Sequence, residues 1–209
     1  MLEASWLRAR LASRIDEAFP GLAPARDGRW TAPLSAEHRA VLLVEAMKGA
    51  SYQIVFGISC SWIPTLRNRR ITWHRTAKNA RQQLWVDAHS DPETPFEEVS
   101  LLRSEAIAVA QIDAMIVELQ QRAPAWWSSV STLRGVLTEA ERQASFEYNI
   151  HNPRPWTVAA FTCARMGDVP GYRRWRDAGP LSEGDDSLAE QALTVLLDRG
   201  SDELGAAGS

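Results

Sequence analysis

A change of hydrophobic period divides this chain. Between residues 28 and 89 apolar side chains tend to recur at every second position, and from Thr94 onward they recur every three to four. Period two puts successive side chains on opposite faces of a strand, whereas period 3.6 lines them along one stripe of a helix. Strands followed by helices is the pattern of an α+β domain, in which an antiparallel sheet is covered by helices on one side.

The strand region is clearest at its centre. Val41–Met47 is a compact apolar run, and Lys48-Gly49-Ala50 supplies a turn. Tyr52, Ile54, Phe56, Ile58 and Cys60 then alternate with Gln53, Val55, Gly57 and Ser59. This reads as an antiparallel hairpin whose second strand has one face in the core and ends at Pro64. Arg29–Ala32, Ile71–Thr76 and Gln83–His89 are further candidate strands, with a short helix over Thr76–Leu84 as the alternative between the last two. The expectation is an antiparallel sheet of about four or five strands in residues 28–90, since no helix-length crossover separates them.

Helices flank this sheet. Leu7, Leu11, Ile15 and Phe19 repeat every four residues and predict an amphipathic helix over 4–19, stopped by Pro20-Gly21. Thr94-Pro95-Phe96-Glu97 has the form of a capping box and predicts the start of a long helix that ends before Pro124. Its buried face would comprise Leu101, Ala108, Ile112, Met115 and Leu119. Thr138–Asn149, Pro155–Met166, Gly171–Ala178 and Leu188–Asp198 are shorter helical candidates, the last stopped by Gly200, with Gly205–Ser209 as a frayed tail. Residues 1–123 are thus expected to form the sheet region with its long helix, and 124–209 a helical extension packed on the same domain.

Bulk properties exclude several classes. Residues Met1 to Phe19 are interrupted by charge and no stretch approaches the ~18 apolar residues of a membrane span, so a cytoplasmic location is expected. The two cysteines, Cys60 and Cys163, lie far apart and read as reduced core thiols; neither a disulfide framework nor a structural zinc site is expected. There is no HExxH, GxSxG, phosphate loop or paired-glycine fingerprint, so no cofactor and no metal are expected.

Charge is unevenly spread. The 41 residues from Ala46 to Val86 hold no Asp or Glu but seven basic residues, while the whole chain carries −3, which leaves −10 on the remainder. Asp87 to Gln120 holds eight acids against Arg103, and Ser182 onward holds seven against Arg199. Such asymmetry bears on partners more than on fold. Its densest part contains Arg67, Arg69, Arg70, Trp73, His74, Arg75, Lys78 and Arg81, with Trp62 and Trp85 close by. Guanidinium forks bind carboxylates and phosphates, and indole faces stack on cations or bases. The segment is therefore a candidate site for an anionic partner. The competing reading is a solvated face whose arginines pair with the chain's own acids. A sequence pI near 5.8 favours a protein partner over nucleic acid.

Three further groups carry possible chemistry. His74, Asp87, His89 and Asp91 could serve as acid–base residues in an enzyme acting on a phosphorylated or carboxylated substrate. Against this, a polar strand end leading into a loop has the same composition. Cys60 with His74 or His89 could form a nucleophile–base pair, although its phase with Tyr52–Ile58 points it into the core. Trp126-Trp127, Trp156 and Trp175 could mark a binding surface or lock short helices together. His151, beside Asn152-Pro153, reads as a loop residue.

The stretch Arg70-Ile71-Thr72-Trp73-His74-Arg75-Thr76-Ala77-Lys78-Asn79-Ala80, following a strand at Ile54–Ile63, resembles bacterial domain-of-unknown-function proteins with a Trp-His-Arg-Thr-x-Lys motif. The resemblance covers residues 40–90. It implies a bacterial origin and a similar small α+β sheet, and such proteins act in some cases as immunity proteins in defence or toxin–immunity contexts. A fold-level likeness assigns no activity. The reading that results is a non-enzymatic protein that binds an anionic partner, with the small enzyme as the alternative.

Overall fold

The computed structural model describes residues 2–26, 28–67, 70–86, 98–146, 153–181 and 186–206, with side chains at all of these except 67, 186 and 198–206. It is an α+β protein. Helix α1 (Ala4–Ala18) leads into strands β1 (Ala23–Arg26), β2 (Arg29–Pro33), β3 (His38–Met47) and β4 (Ser51–Cys60). Two short strands, β5 (Thr65–Arg67) and β6 (Arg70–Thr72), a 3-10 turn at Ala77–Asn79, and strands β7 (Leu84–Val86) and β8 (Val99–Ser100) follow. Among the described residues five helices follow: α2 (Glu105–Ser129), α3 (Leu133–Ala144), α4 (Pro155–Arg165), α5 (Val169–Ala178) and α6 (Asp186–Ala206).

The main sheet is antiparallel, in the order β1-β2-β3-β4-β7, with β8 also pairing to β4. The expected hairpin is present: all ten residues of β3 pair with β4, from His38 opposite Cys60 to Met47 opposite Ser51. Its turn needs left-handed backbone at Gly49 (φ 91°) and Ala50 (φ 60°), a conformation glycine adopts without steric cost.

Strand β4 differs from expectation. Every one of its ten residues is buried, so it is covered on both faces rather than one. Register explains how. Trp30, Leu42, Phe56 and Val86 share one face, which packs with Leu7, Leu11 and Ile15 of α1 and with Ile112, Met115 and Leu119 of α2. Arg29, Leu43, Val55 and Ser59 lie on the opposite face, beneath the connection that joins β6 to β7. That connection is fastened by Gln82 Nε2 donating to the Val55 carbonyl (3.3 Å) and by the Arg81 amide donating to Ser59 Oγ (3.0 Å). Gly57 permits the close approach of β7: a Cβ there would sit 2.3 Å from the Leu84 carbonyl oxygen.

The long helix starts later than the Thr94 capping motif suggested. Residues 94–97 lie outside the described residues, but Val99–Ser100 is a strand and Ser104 caps α2 by accepting from the Ile107 amide. Leu101 is consequently buried in a turn, and Leu102 is exposed. Helix α2 also runs through Pro124 to Ser129 instead of stopping before it. Other boundaries shift too: α3 begins at Leu133, capped by the Thr132 side chain, and α6 continues past Gly200. Strands β1, β5 and β8 lie outside the expected strands.

The helical half is tied to the sheet by side chains. Trp127 Nε1 donates to the Gly57 carbonyl (2.9 Å), Gln143 Nε2 to the Trp85 carbonyl (3.1 Å), and Trp62 Nε1 to Thr162 Oγ1 (3.3 Å). Nearly all of α4 is buried, between α3, α5 and α6. Both cysteines are buried free thiols, and burial raises Cys60 well above its ordinary pKa and takes Cys163 to about 11. Among the described residues no helix is long and apolar enough to cross a membrane, and no group of three or more His, Cys, Asp or Glu is placed to hold a metal ion.

Candidate functional site

The basic segment is held rigid from within. Thr76 and Asn79 form a reciprocal cap around the 3-10 turn, in which Asn79 Oδ1 accepts from the Thr76 amide (2.9 Å) and hydroxyl (2.9 Å). Asn79 Nδ2 donates back to the Trp73 carbonyl (3.3 Å). His74 is buried between these elements, with Nδ1 2.6 Å from the Asn79 carbonyl and Nε2 2.7 Å from Thr65 Oγ1.

Donor and acceptor chemistry then fixes the tautomer. A carbonyl only accepts, so Nδ1 carries the proton, and Nε2 accepts from the Thr65 hydroxyl. That hydroxyl in turn accepts from Arg81 Nη1 (3.3 Å). The result is a directional chain from Arg81 through Thr65 and His74 to the Asn79 carbonyl. Burial lowers the His74 pKa below its ordinary value, and Arg81 and Arg29 act in the same direction against the Asn79 carbonyl. His74 is therefore neutral near pH 7, with both ring nitrogens engaged. A general base needs a lone pair within reach of a proton, and here that lone pair is used to position Arg81.

Alternation along 73–75 splits the segment between two clefts. His74, Lys78 and Arg81 line one of about 700 Å³, closed on its far side by Arg26 and Arg29 of the β1–β2 hairpin. Trp73 and Arg75 line another of about 260 Å³, with Trp62, Glu37 and Arg165. There the Arg75 guanidinium lies 5.9 Å from the Trp73 ring centroid, while Arg165 bridges Glu37 at 3.2 Å. The expected interleaving of tryptophan with arginine is thus divided: no tryptophan lines the larger cleft among the described residues.

The larger cleft gathers cations from two distant parts of the chain. Arg29 donates Nη1 to the Ala80 carbonyl (2.5 Å), bridging the hairpin to the connection. No acid is among its described lining residues. Among the described residues, no carboxylate oxygen lies within 4 Å of Arg70, Arg75, Lys78 or Arg81. Arg70, Arg75 and Lys78 are exposed, and Trp73 is half-buried. Arg26 and Arg29 were missed as site residues because they lie some fifty residues before Arg81. The available signal was two arginines flanking a turn at Gly28, on the strand expected to start at Arg29.

Other sequence candidates disperse. Arg69, Asp87, His89 and Asp91 lie outside the described residues, as does the Arg67 side chain. The acid–base group is therefore represented by His74 alone. Cys60 stands opposite His38 in the hairpin register and is fully buried in the core. Trp127 is in the core and Trp126 meets Phe56 edge-on at 5.6 Å, so this pair locks α2 to the sheet. Trp156 donates to the Pro180 carbonyl (3.0 Å), and Trp175 is packed against the core. His151 lies outside the described residues.

Comparisons with protein-family models, with curated proteins and with solved structures found no match. The resemblance over residues 40–90 therefore rests on its motif alone.

Proposed function

We propose that the protein is a binding protein whose cleft between the β1–β2 hairpin and the 73–81 connection engages an anionic partner. The observation that carries this reading is the set of Arg26, Arg29, Lys78 and Arg81 around one concavity with no acid among its described lining residues. Lys78 and Arg81 have no described carboxylate within 4 Å, and such cations in a concave site raise the local concentration of an anionic partner and speed its arrival. The acids of the chain are numerous, yet its described ion pairs are made elsewhere. An acidic protein surface suits the cleft better than nucleic acid. No tryptophan, tyrosine or phenylalanine is among its described lining residues to stack a base. The resemblance to proteins of defence and toxin–immunity settings is compatible with a protein partner.

The test is titration of the full chain with poly-glutamate and with a short DNA duplex at rising salt. Poly-glutamate should bind with an affinity that falls steeply as salt rises from about 50 to 200 mM, as screening of exposed charge requires, and Lys78→Glu should weaken it about tenfold. Binding that ignores both salt and Lys78→Glu rules the cleft out. Tighter binding of the duplex, equally sensitive to Lys78→Glu, rules out the protein partner.

A further inference from the structure

A second cleft lies on the helix-covered face of the sheet, and strand register shows how it is built. Tyr52 of β4 stands opposite Ala46 of β3. Val44, two residues away on the same face, donates its amide to the Gly28 carbonyl (2.9 Å). Trp30, two residues beyond Gly28, stands opposite Pro24 of β1. These residues form one continuous strip from β4 to β1, three strand spacings or about 14 Å across. Its middle is floored by Ala46, Val44 and the bare Gly28, between the larger side chains of Tyr52 and Trp30.

Helix α1 forms the facing wall. It buries Leu7, Leu11 and Ile15 in the core and brings Ala9 and Ala12 to the cleft. Small residues on both sides leave a concavity of about 710 Å³, within the range of small-molecule sites. One cation is fixed at its Tyr52 end. Arg8 Nε donates to the Tyr52 hydroxyl (3.3 Å), and the guanidinium carbon lies 5.8 Å from the Tyr52 ring centroid. Arg8 Nη1 and Nη2 have no partner among the described residues, and no acid is among the described lining residues. Asp16 lies about 12 Å further along the helix axis and accepts from Trp30 Nε1 (2.8 Å). Arg26 and Arg29 also border the cleft, each with an interaction of its own.

We propose that this cleft binds a small carboxylic acid with an apolar body, its carboxylate on the Nη1–Nη2 fork of Arg8 and its body along Ala46, Val44 and Gly28 toward Pro24. A planar guanidinium fork matches the two coplanar oxygens of a carboxylate. The rest of the ligand is apolar because the floor offers it only alkyl surface. The strands beneath pair their backbone with one another and α1 pairs its own, so a peptide laid on this face would bury amides without partners. The site is separate from the 73–81 cleft, which neither Arg8 nor Tyr52 lines.

Calorimetric titration of the full chain near neutral pH tests this with decanoate, hexanoate and decyltrimethylammonium. Decanoate should bind at least about tenfold more tightly than hexanoate, since each buried methylene multiplies affinity about fourfold. It should bind about fivefold more tightly than decyltrimethylammonium, the scale of an exposed charge pair. Arg8 is exposed, so Arg8→Glu should stay folded by circular dichroism, and it should invert the preference between the two head groups. Ala46→Phe, at an exposed strand position, should fill the cleft and weaken decanoate about tenfold or more, with affinity for poly-glutamate unchanged. Equal affinity for the two head groups, or an order that Arg8→Glu leaves as it was, overturns the carboxylate assignment. Decanoate binding that survives Ala46→Phe overturns the placement in this cleft, and absence of binding by all three probes overturns the site itself. An apolar peptide with a free C-terminus that binds more tightly than decanoate overturns the small-molecule assignment.

Discussion

Arginines on the helices and arginines on the 70–81 connection meet different surroundings. Arg14, Arg122, Arg142, Arg165 and Arg174 each close an ion pair with a carboxylate, and Arg165 reaches back to Glu37 in the loop before β3. Arg70, Arg75, Lys78 and Arg81 have no described carboxylate within 4 Å; what holds this segment is hydrogen bonding to hydroxyls and carbonyls. Two kinds of basic residue therefore coexist in one chain. One kind is neutralised and contributes to packing. The other is placed by neutral partners, which leave its charge outstanding. Acid-rich composition elsewhere does not imply neutralisation of this segment, because the described ion pairs join the chain's carboxylates to arginines on the helices.

The sharpest division should be seen at Arg142. It meets Glu139 at 2.7 Å, and Glu139 is largely buried and also receives Gln143. Arg142→Ala leaves that carboxylate without its counter-charge and should cost about 2 kcal/mol of unfolding free energy. Denaturant titration measures this, and affinity for poly-glutamate should stay within twofold of the parent. Loss of binding with unchanged stability would erase the distinction between the two kinds of arginine.

Lys78→Glu should show the reverse, with little change in stability and about 1.4 kcal/mol lost in anion binding. Arg75→Glu at the neighbouring smaller cleft should lose clearly less. If the two reversals are equivalent, the partner contacts the whole segment and the larger cleft has no special part. Thr65→Val removes the hydroxyl between Arg81 and His74 and should cost about 1 kcal/mol of stability. It should also weaken anion binding a few-fold, because Arg81 is no longer held. Calorimetry and denaturation on the same preparation separate the two effects.

Acid provides the mildest perturbation. Burial lowers the pKa of both His74 and His38 in the folded protein, whereas the unfolded chain titrates near 6.5. The unfolded state then binds more protons between the folded and unfolded values. Stability is full above about pH 6.5 and is lost as pH falls through the lowered folded values. The denaturation midpoint at pH 5.5 should lie below that at pH 7.5, and His74→Asn should narrow the gap. An unchanged midpoint would show that neither imidazole is held neutral.

Much of this architecture was legible from periodicity. The every-fourth apolar stripe of α1 and the alternation through β4 are statements about which side chains share a face, and burial acts on those directly. Boundaries were less legible because several caps compete. Thr94-Pro95-Phe96-Glu97 is locally a good helix start, yet β8 takes up residues 99–100 and Ser104 caps the helix instead. Pro124 was read as a stop, although α2 carries on through it. The basic segment itself was visible from charge alone. Its division into two clefts, and the arrival of Arg26 and Arg29 opposite Lys78 and Arg81, depend on strand register and on contacts across some fifty residues. Pro24 hid β1, because proline cannot donate to a ladder and belongs only at an edge.

Strand β4 has a consequence for how the molecule opens. It is paired along its whole length by β3, is met on its other side by β7 and β8, and is buried throughout. Its amides should be among the last to exchange with solvent deuterium, and their rate reports global unfolding. The connection above it is held largely by side-chain bonds, so its amides can exchange through a smaller local opening. An anion bridging the hairpin and the connection would slow exchange at residues 74–81 while leaving β4 unchanged, so the occupied cleft could be read from the backbone before any partner is named.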